Sequence, residues 1–338
     1  MHGTTGAREP GVIEFGFGVG DLASTSFAYS PFQEAVFSLW GWRDESRFPH
    51  QRAWLRRLRP QYERQDTALF AALVAPHGFI PDFLTPRPQR VRASFAEQSA
   101  QLRATPLEVI EPDFRRTFGP GAQLPPVIAE GLADPAALLE RIASAFERYW
   151  YECLAPDWWP RVRAVLEADL AHQSRVLAEQ GAAGLFAGLD KRLTWRPGVL
   201  RLRHPVPDTW PAADIQVAGR GMVLIPTTFA RGAITTVDTT LPPVLNYPAH
   251  GRGTLSETPP PVSDRAVVRL LGPARARLLT LLADPATTTE LARRLDVTPG
   301  AVSQHLSVLY DAGLLHRARR GRGVEYARTA LGNALLRG

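Results

Sequence analysis

Leu291-Ala-Arg-Arg-Leu-Asp-Val-Thr-Pro-Gly-Ala-Val-Ser-Gln-His-Leu-Ser-Val-Leu-Tyr-Asp-Ala-Gly-Leu314 reads as two helices joined by a tight turn. Just before the first helix, Thr287-x-x-Glu290 forms a capping box. In that pattern the hydroxyl and the carboxylate each satisfy an amide that the helix leaves open. The spacing predicts a helix over 288–295 that turns Leu291, Ala292 and Leu295 inward. Asp296-Val297 makes the turn, and Thr298 caps a second helix with Pro299 at its first position. Gly313 stops that helix. Two helices joined by so short a turn are a helix-turn-helix.

Helical geometry sorts the second helix into faces. At about 100° per residue, Val302, Leu306 and Leu309 fall on one stripe and are expected to be buried. The opposite face carries Gly300, Ser303, Gln304 and Ser307, with Thr298 at the entry. These side chains are small or hydrogen-bonding and uncharged. A major-groove reader needs that combination: close approach at the glycine, a bidentate amide, and hydroxyls. His305 sits at the shoulder of the face, where a phosphate contact is expected.

Further out, Pro273 starts a helix through Leu282 that ends at Asp284-Pro285. After Gly313, residues 314–319 alternate like a strand, Arg320-Gly-Arg-Gly323 is a turn, and 324–328 returns as a second strand. Arg317, Arg319, Arg320 and Arg322 lie on or near the tip of this hairpin, where they suit phosphates or the minor groove. A short helix over 329–336 closes the chain. Helix, helix-turn-helix, hairpin and helix together make a winged helix.

This segment resembles the ArsR/SmtB winged-helix repressors. The resemblance spans about 270–336 and rests on Ser303-x-His305-Leu306 and Ala312-Gly313-Leu314. It implies a homodimer on double-stranded DNA, with one recognition helix per half-site of an inverted repeat and the wings on flanking DNA. It implies DNA-facing roles for Ser303, Gln304 and His305, and a wing role for Arg320 and Arg322. One departure is clear. Metal-sensing members carry Cys-x-Cys before the recognition helix, or His and Asp on the last helix. Here those places read Thr289-Glu-Leu-Ala-Arg293 and Ala330-Leu-Gly-Asn-Ala-Leu-Leu336. The eight histidines are scattered without ligand spacing, so no metal and no cofactor are expected.

The charge distribution agrees with a small basic module on a neutral body. The chain has 338 residues and a formal net charge of +6. Residues 262–338 hold twelve arginines and six acids, so the whole excess lies there. Residues 1–261 are neutral and contain all eight tryptophans. A Trp-rich neutral body joined to a basic module fits a sensor coupled to a nucleic-acid reader. Lys191 is the one lysine, and it follows no glycine loop. A phosphate-binding P-loop or a Schiff-base enzyme needs a lysine in a defined place. The single Cys153 rules out an intramolecular disulfide and a cysteine-based zinc site. No apolar run approaches the roughly 18 to 20 residues of a membrane helix. No basic-then-apolar leader is seen, and a cytoplasmic protein with no membrane partner is expected.

Within the body, 12–17 is expected to be a short strand, and 21–27 and 31–42 are expected to be helices. Asp134 and Pro135 start a helix with Leu138, Leu139, Ile142, Phe146, Tyr149 and Trp150 at helical spacing. A further helix follows Asp157. From Gly198 to Pro248 short β-prone segments alternate with Gly and Pro, and Gly219-Arg-Gly221 is expected to be a hairpin turn. The fold expected is α+β and mainly helical. It comprises an N-terminal helical domain with a small β-sheet over 1–256, a Pro-rich linker at 257–263, and a C-terminal winged helix-turn-helix domain at 264–338.

The body also resembles the large N-terminal region of actinobacterial ArsR-type regulators. The similar stretches are Asp21-Leu-Ala-x-x-x-Phe27 with Pro31, Pro81-Asp-Phe-Leu-Thr-Pro86, and the strand around 222–226. No function carries over from that likeness.

The function expected is a DNA-binding transcriptional regulator, a repressor, under the control of a small-molecule effector. Trp150, Tyr151, Trp158 and Trp159 are the candidate effector pocket, with ordinary core packing as the alternative. Two other readings stay open: a body that only dimerises, and an enzyme with a winged-helix accessory. Against the enzyme, Gly-x-Ser-x-Gly, His-Glu-x-x-His and Gly-x-Gly-x-x-Gly are all absent, and Gly16-x-Gly18-x-Gly20 lacks the final glycine.

Overall fold

The computed structural model describes residues 11–119, 121–204, 213–236, 238–256, 264–320 and 323–336. The expected linker at 257–263 lies outside these residues. The chain divides into two units, Met1–Glu257 and Thr258–Gly338. The fold is α+β and mainly helical.

Helix Pro31–Arg43 is the axis of the first unit. Ser30 caps it by accepting the Gln33 amide at 3.0 Å, and Pro31 takes the first position. Phe32, Ala35, Val36, Phe37 and Leu39 are all buried, so the helix is apolar around most of its circumference. Its buried polar side chains make hydrogen bonds inside the core, although the Gln33 side-chain oxygen finds no partner there. Ser38 and the Tyr149 hydroxyl share a hydrogen bond of 2.7 Å, and the Gln33 amide donates to the Pro86 carbonyl at 3.0 Å. Helix Pro135–Tyr149 starts as expected, with Asp134 accepting the Ala137 amide at 3.0 Å. Its apolar residues face the same core, and a π-helical turn, Trp150–Leu154, follows it.

The segment after Asp157 forms one long helix, Trp158–Leu189, broken at Gly181, where φ is 66° and ψ is −170°. Glycine adopts that conformation without the steric cost of a Cβ. Before the break, Trp158, Val162 and Leu166 pack into the helical core. After it, Leu185, Phe186 and Leu189 pack into a second core on the sheets. Val176 and Leu177, just before the break, also pack against the second core, so one helix serves both.

The described strands of this unit are β1 (Val12–Gly16), β2 (Ser26–Phe27), β3 (Leu193–Arg196), β4 (Val199–Arg203), β5 (Ala213–Gln216), β6 (Val223–Thr227), β7 (Ile234–Thr235) and β8 (Val244–Pro248). They form two four-stranded sheets, in the orders β3-β4-β1-β5 and β2-β6-β8-β7. This corrects three sequence expectations. The single small sheet is two sheets, each knitted to the start of the chain. The helix expected over 21–27 ends at Ala23, because Ser26–Phe27 pairs in parallel with Val223–Leu224. Gly219-Arg-Gly221 is not a hairpin turn, since β5 and β6 belong to different sheets. The loop is instead tied to the N-terminal segment: the Gly219 amide donates to Asp21 Oδ1 at 2.6 Å. Gly221 lies where a Cβ would collide with the Ser24 carbonyl.

The second unit contains helices Asp264–Leu271, Pro273–Leu281, Thr288–Leu295, Pro299–Asp311 and Ala330–Leu336. A three-stranded sheet joins them, formed by β9 (Ala286–Thr287), β10 (Leu315–Arg320) and β11 (Gly323–Arg328) in the order β10-β11-β9. Helix Asp264–Leu271 adds to the elements expected from sequence. Leu278, Leu279, Leu291, Val302, Leu306 and Leu309 are central to the unit's own core.

Candidate nucleic-acid interface

The capping box forms as expected. Thr287 Oγ1 accepts the Glu290 amide at 3.3 Å, and Glu290 Oε2 accepts the Thr287 amide at 2.8 Å. Those hydrogen bonds hold the Glu290 carboxyl below the usual carboxylate range. Asp296 then takes a left-handed conformation, φ 55° and ψ 48°, which ends the helix sharply. Thr298 Oγ1 accepts the Ala301 amide at 3.3 Å and starts the next helix on Pro299. Val302, Leu306 and Leu309 are buried, so the rotation of this recognition helix is set by its core stripe.

That rotation exposes the other face. Thr298, Gly300, Ser303, Gln304 and Ser307 are exposed, and His305 is half-buried at the shoulder. A Cβ at Gly300 would meet nothing within 4 Å. The protein's own packing therefore does not require a glycine there. Ser307 Oγ donates to Asp311 Oδ2 at 3.3 Å, a local bond that orients the hydroxyl along the helix.

The wing is the antiparallel pair of β10 and β11, with Leu315 opposite Arg328 and Arg319 opposite Val324. Strand alternation places Arg317 and Arg319 on the same face as the buried Leu315. Both arginines are exposed. The Arg317 guanidinium carbon lies 4.4 Å from the centre of the Tyr310 ring. This contact ties the wing to the end of the recognition helix. Tyr310 did not stand out in the sequence. Its signal was an aromatic residue near the helix end, facing an arginine on the next strand. The side chain of Arg320, and all of Arg322, lie outside the described residues.

Trp150 and Trp159 meet at 5.3 Å, and Trp150, Trp158 and Trp159 each pack on a further aromatic side chain. Trp150 stacks on Phe95 at 4.6 Å, and Trp158 stacks on Trp54 at 4.2 Å. Trp159 meets Tyr29 edge-on at 5.7 Å, and Tyr151 is exposed. Helical periodicity made three of these residues core or near-core partners. A cavity of about 570 Å³ lies elsewhere in the same unit, and none of the four lines it. Among the described residues, no group of three or more His, Cys, Asp or Glu side chains is arranged to hold a metal ion. Among them, too, no helix is long and apolar enough to cross a membrane.

A family model described as a helix-turn-helix domain matches residues 270–318. The C-terminal unit is a helix-turn-helix domain. The matched stretch runs from the end of the unit's first helix into the first wing strand. No curated protein matches the chain, and no solved structure matches it. The β-hairpin that follows the helix-turn-helix domain makes it a winged one, the architecture of a DNA-binding regulator.

Proposed function

We infer that this chain is an ArsR-type transcriptional repressor, not an enzyme, which binds an inverted-repeat operator in the cytoplasm as a homodimer. The observation that carries the reading is the pairing of two surfaces. The exposed face of the recognition helix is uncharged and hydrogen-bonding, while the wing beside it bears arginines. Phosphate contacts supply affinity and register, and base-edge contacts supply sequence preference. In this assignment Gln304 reads a base edge, Ser303 and Ser307 assist, and Gly300 permits close approach. Thr298 and His305 contact the flanking backbone, and Arg317, Arg319, Arg320 and Arg322 hold phosphates or the minor groove.

Exposed apolar side chains favour the homodimer. Val268 and Leu270 on helix Asp264–Leu271 are 39% and 70% exposed, and Leu331 on helix Ala330–Leu336 is 59% exposed. The two helices pack against each other, so these side chains belong to one end of the unit. A second copy would remove that apolar surface from water. The first unit receives an effector, and the effector acts by favouring one spacing of the two recognition helices.

The test is a gel shift with the full chain and the DNA upstream of its own gene. Retardation at sub-micromolar protein is expected, competed by the same DNA and not by a scrambled duplex. No retardation, or equal competition by both duplexes, overturns the reading.

A further inference from the structure

The cavity in the first unit lies on the seam between the unit's two apolar cores. Trp40, Phe48 and Phe229 reach it from the helical core, and Ile13 and Leu202 from the sheet core. Phe79 packs against both cores and lines the cavity as well. Its volume of about 570 Å³ falls within the range of small-molecule sites, roughly 300 to 1,000 Å³. The apolar wall calls for an apolar ligand body.

The charged lining is one-sided. Arg47, Lys191, Arg192 and Arg231 contribute four cations, and Asp190 is the single acid. Asp190 is already committed. Its Oδ2 accepts from Arg192 Nη2 at 2.8 Å, and it also takes the Ala233 amide. These contacts, Arg192 foremost among the attractive ones, hold its carboxyl below the usual range despite burial. Gly232 leaves the room this pair occupies, because a Cβ there would run into the Arg192 guanidinium. The Asp190–Arg192 pair is therefore neutral as a unit, and Arg47, Lys191 and Arg231 stand as three further cations at the exposed rim. Asp44, whose Oδ1 accepts the Ser46 amide at 3.1 Å and the Ser46 hydroxyl at 2.5 Å, is a single carboxylate near Arg47 and Arg231, so it offsets part of their charge and the rim keeps a cationic excess. His77 on the rim is shifted towards its neutral form by burial and by the Arg43 guanidinium, so it donates or accepts without adding a cation.

An aromatic and aliphatic wall under a cationic rim is complementary to an amphipathic anion. We propose that the cavity binds an apolar monocarboxylate, an aryl or medium-chain alkyl acid, with its body against Trp40, Phe48 and Phe229 and its carboxylate at Arg47, Lys191 and Arg231. A neutral ligand would leave the rim cations unmatched, and a cationic ligand would be repelled. The assignment of this ligand as the effector rests on the regulator reading above. The binding itself does not.

The test uses the full chain in isothermal titration calorimetry and thermal melting. The probes are decanoate and naphthylacetate, their neutral counterparts decanol and naphthylacetamide, and the cation decyltrimethylammonium. At least one carboxylate is expected to bind at micromolar concentration and to raise the melting temperature. Its neutral counterpart is expected to bind at least about tenfold more weakly. Arg47→Gln and Arg231→Gln are each expected to weaken the carboxylate and leave the neutral probe unchanged, a split that a merely structural defect would not give. Arg231→Lys is expected to restore part of the loss. Equal binding of the carboxylate and its neutral counterpart overturns the proposal, as does tighter binding of the cation, or no binding of any probe at millimolar concentration. A gel shift on the same preparation, with and without the bound acid, separates the two claims. DNA binding without acid binding overturns the site and leaves the regulator. Acid binding without DNA binding overturns the regulator and leaves the site. Acid binding that does not change DNA affinity overturns the effector assignment alone.

Discussion

The Arg317 guanidinium lies over the Tyr310 ring, with 4.4 Å between the guanidinium carbon and the ring centre. Tyr310 is near the end of helix Pro299–Asp311 and Arg317 is on the first strand of the hairpin, so the pair links the helix to the wing. A cation over an aromatic face is worth about 0.5–1 kcal/mol at exposed sites. Tyr310→Leu and Arg317→Ala are each expected to lower stability by about that amount, with a double variant less destabilised than the sum. Chemical denaturation of the four proteins checks it. Additive losses would mean that the two side chains do not act together.

The recognition face and the wing are expected to fail differently. Gln304→Ala should cost about 1–3 kcal/mol on the operator and relax preference at one base position. Arg319→Ala and Arg322→Ala should weaken operator and scrambled DNA about equally and reduce the salt dependence. Fluorescence anisotropy on both duplexes separates the two patterns. If all three variants behave alike, the division between reading face and wing is wrong.

Thr287 caps the first helix of the helix-turn-helix through its hydroxyl. Thr287→Ala is expected to cost about 1 kcal/mol. Thr287→Ser keeps the hydroxyl and is expected to lose much less. Thermal melting monitored by circular dichroism reads both, and equal losses would contradict the capping role.

Glu34 is buried in the first unit. Its two carboxyl oxygens accept the Thr228 amide at 2.8 Å and the Thr228 hydroxyl at 2.6 Å. Burial pushes its carboxyl up to about 6, against an ordinary value of 4.5. Below that ordinary value the group is protonated in both folded and unfolded chains and costs nothing. As pH rises towards 6 the unfolded chain ionises first, so stability falls through this window. The loss at neutral pH is about 2 kcal/mol. Glu34→Gln is expected to be no more stable than the wild type at pH 4, and to gain on it by about that amount at pH 7. Urea unfolding at the two pH values checks it, and a constant difference between the proteins would contradict the burial argument.

The winged unit was legible because its signals are local. Thr287-x-x-Glu290, Thr298-Pro299 and Gly313 each act within a few residues, and the core stripe of the recognition helix follows from one period. The first unit was legible only in part, because its decisive contacts are distant in sequence. Val12–Gly16 pairs with Val199–Arg203 on one side and with residues 213–216 on the other, and no local pattern announces either partner. Ser26–Phe27 becomes a strand only because Val223–Leu224 lies beside it. For Trp150 and Trp158, periodicity told that they are buried and not what they are buried against; the answer is Phe95 and Trp54. The cavity gathers Ile13, Trp40, Phe79, Asp190, Leu202 and Phe229 from separate segments, so no motif could mark it.

The central claim is that the C-terminal unit grips DNA through its arginines while the neutral helix face reads it. The most direct measurement is the dissociation constant of the full chain on its own upstream DNA as salt is raised. With about six phosphates held by Arg319, Arg320 and Arg322 of two protomers, the logarithm of affinity should fall against the logarithm of salt with a slope of about −5. Binding should be sub-micromolar at low salt. A slope near zero, or no binding at micromolar protein, would contradict the account.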